Sequence, residues 1–123
     1  MIEAKELRFG NIVYVDNEKY KIVGIYENRI KTKRYDQISY FPFYHIYLDE
    51  KFLKPIQLTK DLLMNCGFKL ETNKPNQYRY KNRLIIVRDA FFVDYGTSVR
   101  IKYLHKLQNF IYALNNEELE INL

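Results

Sequence analysis

Apolar and polar residues alternate through much of the first half of this chain, the two-residue period of a strand with one covered face. "NIVYVD" from Asn11 and "KYKIVGIY" from Lys19 are two such runs, and the turn formers of "DNEK" between them predict a hairpin. "RIKTKRY" from Arg29 alternates with Ile30 and Thr32 on one side and Arg29, Lys31 and Lys33 on the other; "YHIYLD" from Tyr44 supplies a further strand after a break at Pro42. The rhythm changes in "LKPIQLTKDLLMNCGF". Pro55 ends the extended stretch, Thr59 is an N-cap with Asp61 in the first turn, and Gly67 stops a helix of about two turns behind Leu62, Leu63 and Cys66. Strands resume at Phe68 as "FKLE", "NQYRYK", "RLIIVRD", "AFFVDYG" and "SVRIKY", with turns at Lys81 and Asn82, at Asp89, and at Gly96 and Thr97.

In the last helical stretch, Leu104, Leu107, Ile111 and Leu114 recur at steps of three, four and three, an apolar stripe widened by Tyr103 and Phe110. The predicted fold is α+β: an N-terminal curled antiparallel sheet, a short helix, and an antiparallel β-meander packed on a C-terminal helix. One domain spans 1–123, β-rich over 1–58 and helix, meander, helix over 59–123. His105, Gln108, Asn109 and Tyr112 fall on another side of the last helix. They predict either a polar face that meets a partner or the ordinary solvent side of a packing helix.

Composition adds little to the fold and more to the choice of partner. Apolar residues make up 47% and charged residues 28% of the 123 positions, as in a globular protein, and no apolar run approaches the roughly 18 residues of a membrane span. "MIEAKELRFG" carries acids where a signal peptide would be basic and then apolar, and the single Cys66 permits no internal disulfide. Both features lead us to expect a cytoplasmic protein with no membrane partner. The net charge of +5 is unevenly spread: 10 basic against 8 acidic residues over 1–58, 10 against 4 over 59–116, and three acids alone from 117. An anionic partner fits that excess, although lysine also serves plain solubility.

Two basic sets stand out. Arg29, Lys31, Lys33 and Arg34 lie in six residues without an acid, and Tyr35 and Tyr40 follow. Charges that track a phosphate backbone, interleaved with rings that stack on bases, are what single-stranded nucleic acid requires. An acidic protein groove would be served as well, and a lysine-protected edge strand has the same pattern. The second set lies on the predicted meander, where Arg79, Arg100 and Lys102, with Lys81, Arg83 and Arg88, would make the uncovered face basic. Of the chain's 12 tyrosines, many are ordinary strand residues. Catalytic signals are weak. His45 and His105 have no cysteine beside them, Asp89 and Asp94 have no third metal ligand at a useful spacing, and four glycines form no phosphate loop. The expectation is a protein without enzymatic activity, cofactor or metal.

Three stretches together, "LRFGNIVYV", "KPIQLTKDLLMNCGF" and "IKYLHKLQNFIYALNNEELEI", resemble a family of short proteins encoded in prophages and mobile elements of Bacteroidetes. The resemblance spans most of the chain and is most specific in the terminal block. It implies a phage-borne protein in a bacterial host, acting by binding: an inhibitor of host defence, specifically an anti-CRISPR inhibitor of a type VI RNA-guided nuclease. Its partners would be the nuclease effector, its RNA, or both. An interaction or structural adaptor of the phage itself is the alternative. Asn115 and Asn116 depart from the family's Thr-Gly helix stop, which implies a less sharply defined helix end.

Overall fold

Asp16 and Asn17 both adopt positive φ (50° and 64°), the backbone that a two-residue hairpin turn needs and that Asp and Asn tolerate better than most residues. They join β1 (Ile12–Val15) to β2 (Glu18–Ile25), with Val15 opposite Glu18 and Val13 opposite Tyr20. The computed structural model describes residues 2–27, 29–35, 45–89 and 91–122. Strand β2 pairs antiparallel with β3 (Ile30–Arg34), and β3 with β4 (Ile46–Leu48), giving a four-stranded sheet in order β1-β2-β3-β4. The register of β2 against β3 shifts between Ile22 and Gly24. The break expected at Pro42 lies outside the described residues.

The chain divides into two compact units, Met1–Ile56 and Gln57–Leu123. In the first, Ile2, Leu7, Val13, Val15, Tyr20, Ile22, Ile30 and Leu53 form a buried cluster. The even positions of β3, Ile30 and Thr32, are buried as the alternation predicts, and Thr32 Oγ1 donates to the Ile46 carbonyl at 3.1 Å.

The second unit opens with α1 (Lys60–Asn65). Thr59 Oγ1 accepts from the Leu62 amide at 3.1 Å. Gly67, at φ 91°, lets its own amide reach the Met64 carbonyl while that of Phe68 reaches Leu63. This pair of bonds closes the helix as a Schellman motif, with Leu63 and Phe68 both buried. A five-stranded antiparallel meander follows, in the order β5 (Lys69–Leu70), β6 (Gln77–Tyr80), β7 (Arg83–Val87), β8 (Phe92–Asp94) and β9 (Arg100–Ile101). Helix α2 (Leu104–Asn115) then buries Leu104, Leu107 and Ile111. The architecture is therefore the α+β one that the sequence predicts.

Two expectations about α2 require correction. Leu114, the last residue of the predicted stripe, is exposed, whereas His105 and Gln108 are buried at 0% and 2% exposure. The covered sector of the helix is thus rotated toward the polar side. The helix end is also sharp: Asn116 takes the left-handed conformation (φ 54°, ψ 37°) and its amide bonds the Tyr112 carbonyl, so asparagine serves where glycine is usual.

Candidate nucleic-acid interface

Cross-strand register decides which lysines share a face, because directly opposed residues project from the same side of a sheet. Lys21 on β2 lies opposite Lys33 on β3, and Lys31 lies between Gly24 on β2 and Tyr47 on β4. Lys19, two residues before Lys21, joins them on the side away from Ile22, Ile30 and Thr32. Ile12, across from Lys21 on β1, is buried, so the open part of this face is its β2–β4 side. All four lysines are half-buried, an exposure that suits a side chain with an apolar stem and a charged tip. Among the described residues no carboxylate pairs with any of them.

Tyrosines extend the same face. A Cβ on Gly24 would stand 3.1 Å from Cε2 of Tyr26 and 3.2 Å from the Cβ of Lys31, so glycine is what lets Tyr26 lie across the strand here. The rings of Tyr26 and Tyr47 are 6.1 Å apart and tilted by 39°, and Lys31 Nζ lies 5.7 Å from the Tyr47 centroid. Both rings keep about half their surface in solvent, 54% for Tyr26 and 49% for Tyr47. Arg29 is exposed at the end of the β2–β3 hairpin, where its carbonyl accepts from the Tyr26 amide. Beside it a cleft of about 230 Å³ is lined by Ala4, Tyr26, Glu27, Arg29, Asp49 and Glu50, and a shallower depression bounded by Tyr26, Glu27, Arg29 and Tyr47 adjoins it.

Arg34 does not join this patch. It stands opposite Tyr20, on the other side of the strand from Lys33, and pairs with Glu18 at 3.1 Å. Tyr35, two residues after Lys33 and half-buried, bonds its amide to the Lys19 carbonyl and so continues the register on the lysine side, while Tyr40 lies outside the described residues. The signal for what was missed is present in "KYKIV". Alternation there places Lys19 and Lys21 together, but only the hairpin register aligns Lys21 with Lys33.

The uniformly basic face expected on the meander is not formed. Arg79 pairs with Glu71, Lys81 reaches both oxygens of Glu117 at 2.6 and 2.7 Å, and Arg83 lies 3.6 Å from Asp94 Oδ2. Arg100 stacks over the Phe91 ring at 4.4 Å. The register sets Gln77, Ile86, Val93 and Arg100 in one row, so apolar side chains separate Arg79 and Arg100 across the strands between them. Lys102 is exposed beyond β9. Carboxylates from neighbouring strand segments and from the terminal segment thus offset Arg79, Arg83 and Lys81 in the region that looked most basic.

The polar quartet of α2 is split in the same way. His105 and Gln108 are core residues, with His105 stacked on Tyr103 at 6.0 Å, while Asn109 is half-buried and Tyr112 exposed. A single polar face for a partner is therefore absent, because packing has taken half of it into the interior. Asp94 likewise has a structural task, its Oδ2 accepting from the amide and hydroxyl of Thr97 at 2.8 Å each. Burial pushes the Cys66 thiol up to about 12, far from the range of a reactive thiolate. Among the described residues no group of three or more His, Cys, Asp and Glu side chains is placed to hold a metal ion, and no helix is long and apolar enough to cross a membrane. No family model, curated protein or solved structure matches the chain.

Proposed function

We propose that the chain is a non-catalytic binding module that holds single-stranded RNA on the lysine and tyrosine face of its first sheet. One observation carries this: Lys21 and Lys33 are directly opposed, with Lys31 beside them and no carboxylate among the described residues to offset the repulsion. Like charges in opposed positions cost roughly 0.2 to 1 kcal/mol, and a bound phosphate removes that cost. Along β3, Lys31 and Lys33 are about 7 Å apart, near the spacing of successive phosphates on an extended strand. The half-exposed rings of Tyr26 and Tyr47 lie alongside as a platform for bases. In the setting implied by the resemblance to prophage proteins, the bound strand is the guide RNA of a host nuclease, and capture of that strand blocks the effector.

The test is a titration of a labelled single-stranded oligouridine across a range of salt. The logarithm of affinity should fall linearly with that of salt concentration, by about 0.7 for each phosphate neutralised, and Lys31→Glu with Lys33→Glu should abolish binding. Affinity indifferent to both salt and these substitutions would refute the proposal. A pull-down from the host before and after nuclease treatment then identifies the target. A partner that survives the treatment points to a protein adaptor instead.

A further inference from the structure

The cleft at the end of the β2–β3 hairpin differs in chemistry from the lysine face that adjoins it. Its rim carries three carboxylates, Glu27, Asp49 and Glu50, which exclude a phosphate, yet it shares Glu27, Arg29 and the exposed Tyr26 with the shallower depression beside it, which Tyr47 bounds on its other side. Two of the carboxylates are occupied by backbone. Glu50 Oε2 accepts from the Ala4 amide, and Asp49 Oδ1 accepts from the Lys51 amide at 3.1 Å. Glu27 and Arg29 remain, and among the described residues neither side chain is paired with the other or with a third group. A free pair of acceptors and a free fork of donors therefore face one depression, next to rings suited to stacking.

We infer that this depression is a nucleobase pocket selective for guanine, a proposal that rests on the first sheet binding RNA and specifies what it reads. Guanine alone among the four RNA bases offers two adjacent donors on its pairing edge, N1–H and the 2-amino group, the complement of a carboxylate. Its other edge presents O6 and N7, which a guanidinium donates to in the commonest base-specific contact in nucleic-acid complexes. Glu27 would take the first edge, Arg29 the second, and Tyr26 or Tyr47 the ring face. Adenine and cytosine each place an acceptor where Glu27 would meet it, and uracil flanks its one donor with carbonyl oxygens. Because Tyr47 contacts both Lys31 and the depression, a strand whose phosphates follow the lysines can deliver one base to the pocket.

The experiment uses the full chain and labelled oligouridine eight-mers whose central base is uridine, guanosine, adenosine, cytidine or inosine. The guanosine strand should bind roughly tenfold tighter than the uridine, adenosine and cytidine strands, in line with one good bidentate contact. Inosine, which lacks the 2-amino group, should fall between. Glu27→Gln should remove the guanosine preference, raising oligouridine affinity if anything, while the salt slope set by the lysines is kept. Equal binding of all five strands, with lysine-dependent salt sensitivity intact, overturns the pocket and leaves the sheet reading standing. So does a guanosine preference that survives Glu27→Gln. If no strand binds in a salt-sensitive way, the sheet reading fails and the pocket fails with it.

Discussion

Asp94 is a charged residue of the meander with a structural task. It is fully buried, receives two hydrogen bonds from Thr97, and faces the largely covered Arg83 side chain. Asp94→Ala strands that guanidinium and opens the β8–β9 turn. Urea denaturation should register a loss of about 3 kcal/mol, the order expected when one partner of a buried pair is removed. The pairing of Lys81 with Glu117 is exposed and shows itself through pH instead. The hydrogen bond from Lys81 holds the Glu117 carboxyl below its ordinary 4.5, and the same bond raises the lysine above 10.5. Stability from the carboxylate is fully present above 4.5 and is lost as pH falls through the lowered value. That from the ammonium is present below 10.5 and is lost as pH rises through the raised one. Melting temperatures of wild type and Glu117→Gln should differ near neutrality and converge in acid. Little of this was legible in the sequence, where Lys81 and Glu117 are separated by most of the meander and α2.

The terminal signals of α1 were legible because capping is local. Thr59 bonds a residue three positions on, and the glycine stop involves only its immediate neighbours. Thr59→Ala should cost about 1 kcal/mol in the same denaturation assay. In α2, Asn116→Gly should be neutral or stabilising by a few tenths of a kcal/mol, whereas Asn116→Ala should cost about 1 kcal/mol, since alanine has no polar side chain to favour the left-handed backbone. Which side of α2 is covered was less legible. The periodicity of Leu104, Leu107 and Ile111 found the centre of the buried sector, but hydrophobicity placed Leu114 inside it and His105 and Gln108 outside. Periodicity registers only the preferences of the helix; the neighbouring surface determines how wide the covered sector is and where it ends.

Across the whole molecule, the charge census and the charge map differ. The sequence puts its largest excess of positive charge between residues 59 and 116, yet carboxylates there offset Arg79, Arg83 and, from the terminal segment, Lys81. The first unit has a smaller excess and keeps four lysines on one face with no carboxylate partner among the described residues. A face kept for binding should be dispensable for folding. Lys21→Ala combined with Lys33→Ala should leave stability within about 0.5 kcal/mol of wild type or above it. The salt dependence of RNA binding should become shallower by about 1.4, two phosphate contacts' worth on a single strand.

The sequence by itself determined what depends on neighbours along the chain: the alternation that makes β1 to β3, the hairpin about the turn formers of "DNEK", the caps of α1, and an α+β architecture ending in an amphipathic helix. Only the tertiary structure decided which charges stand alone. Neutralisation of Arg79 by Glu71 and Lys81 by Glu117, burial of His105 and Gln108, and the alignment of Lys21 with Lys33 each depend on strand register or on contacts between separate elements. An electrostatic or packing energy falls off with distance through space, and distance along the chain does not specify it.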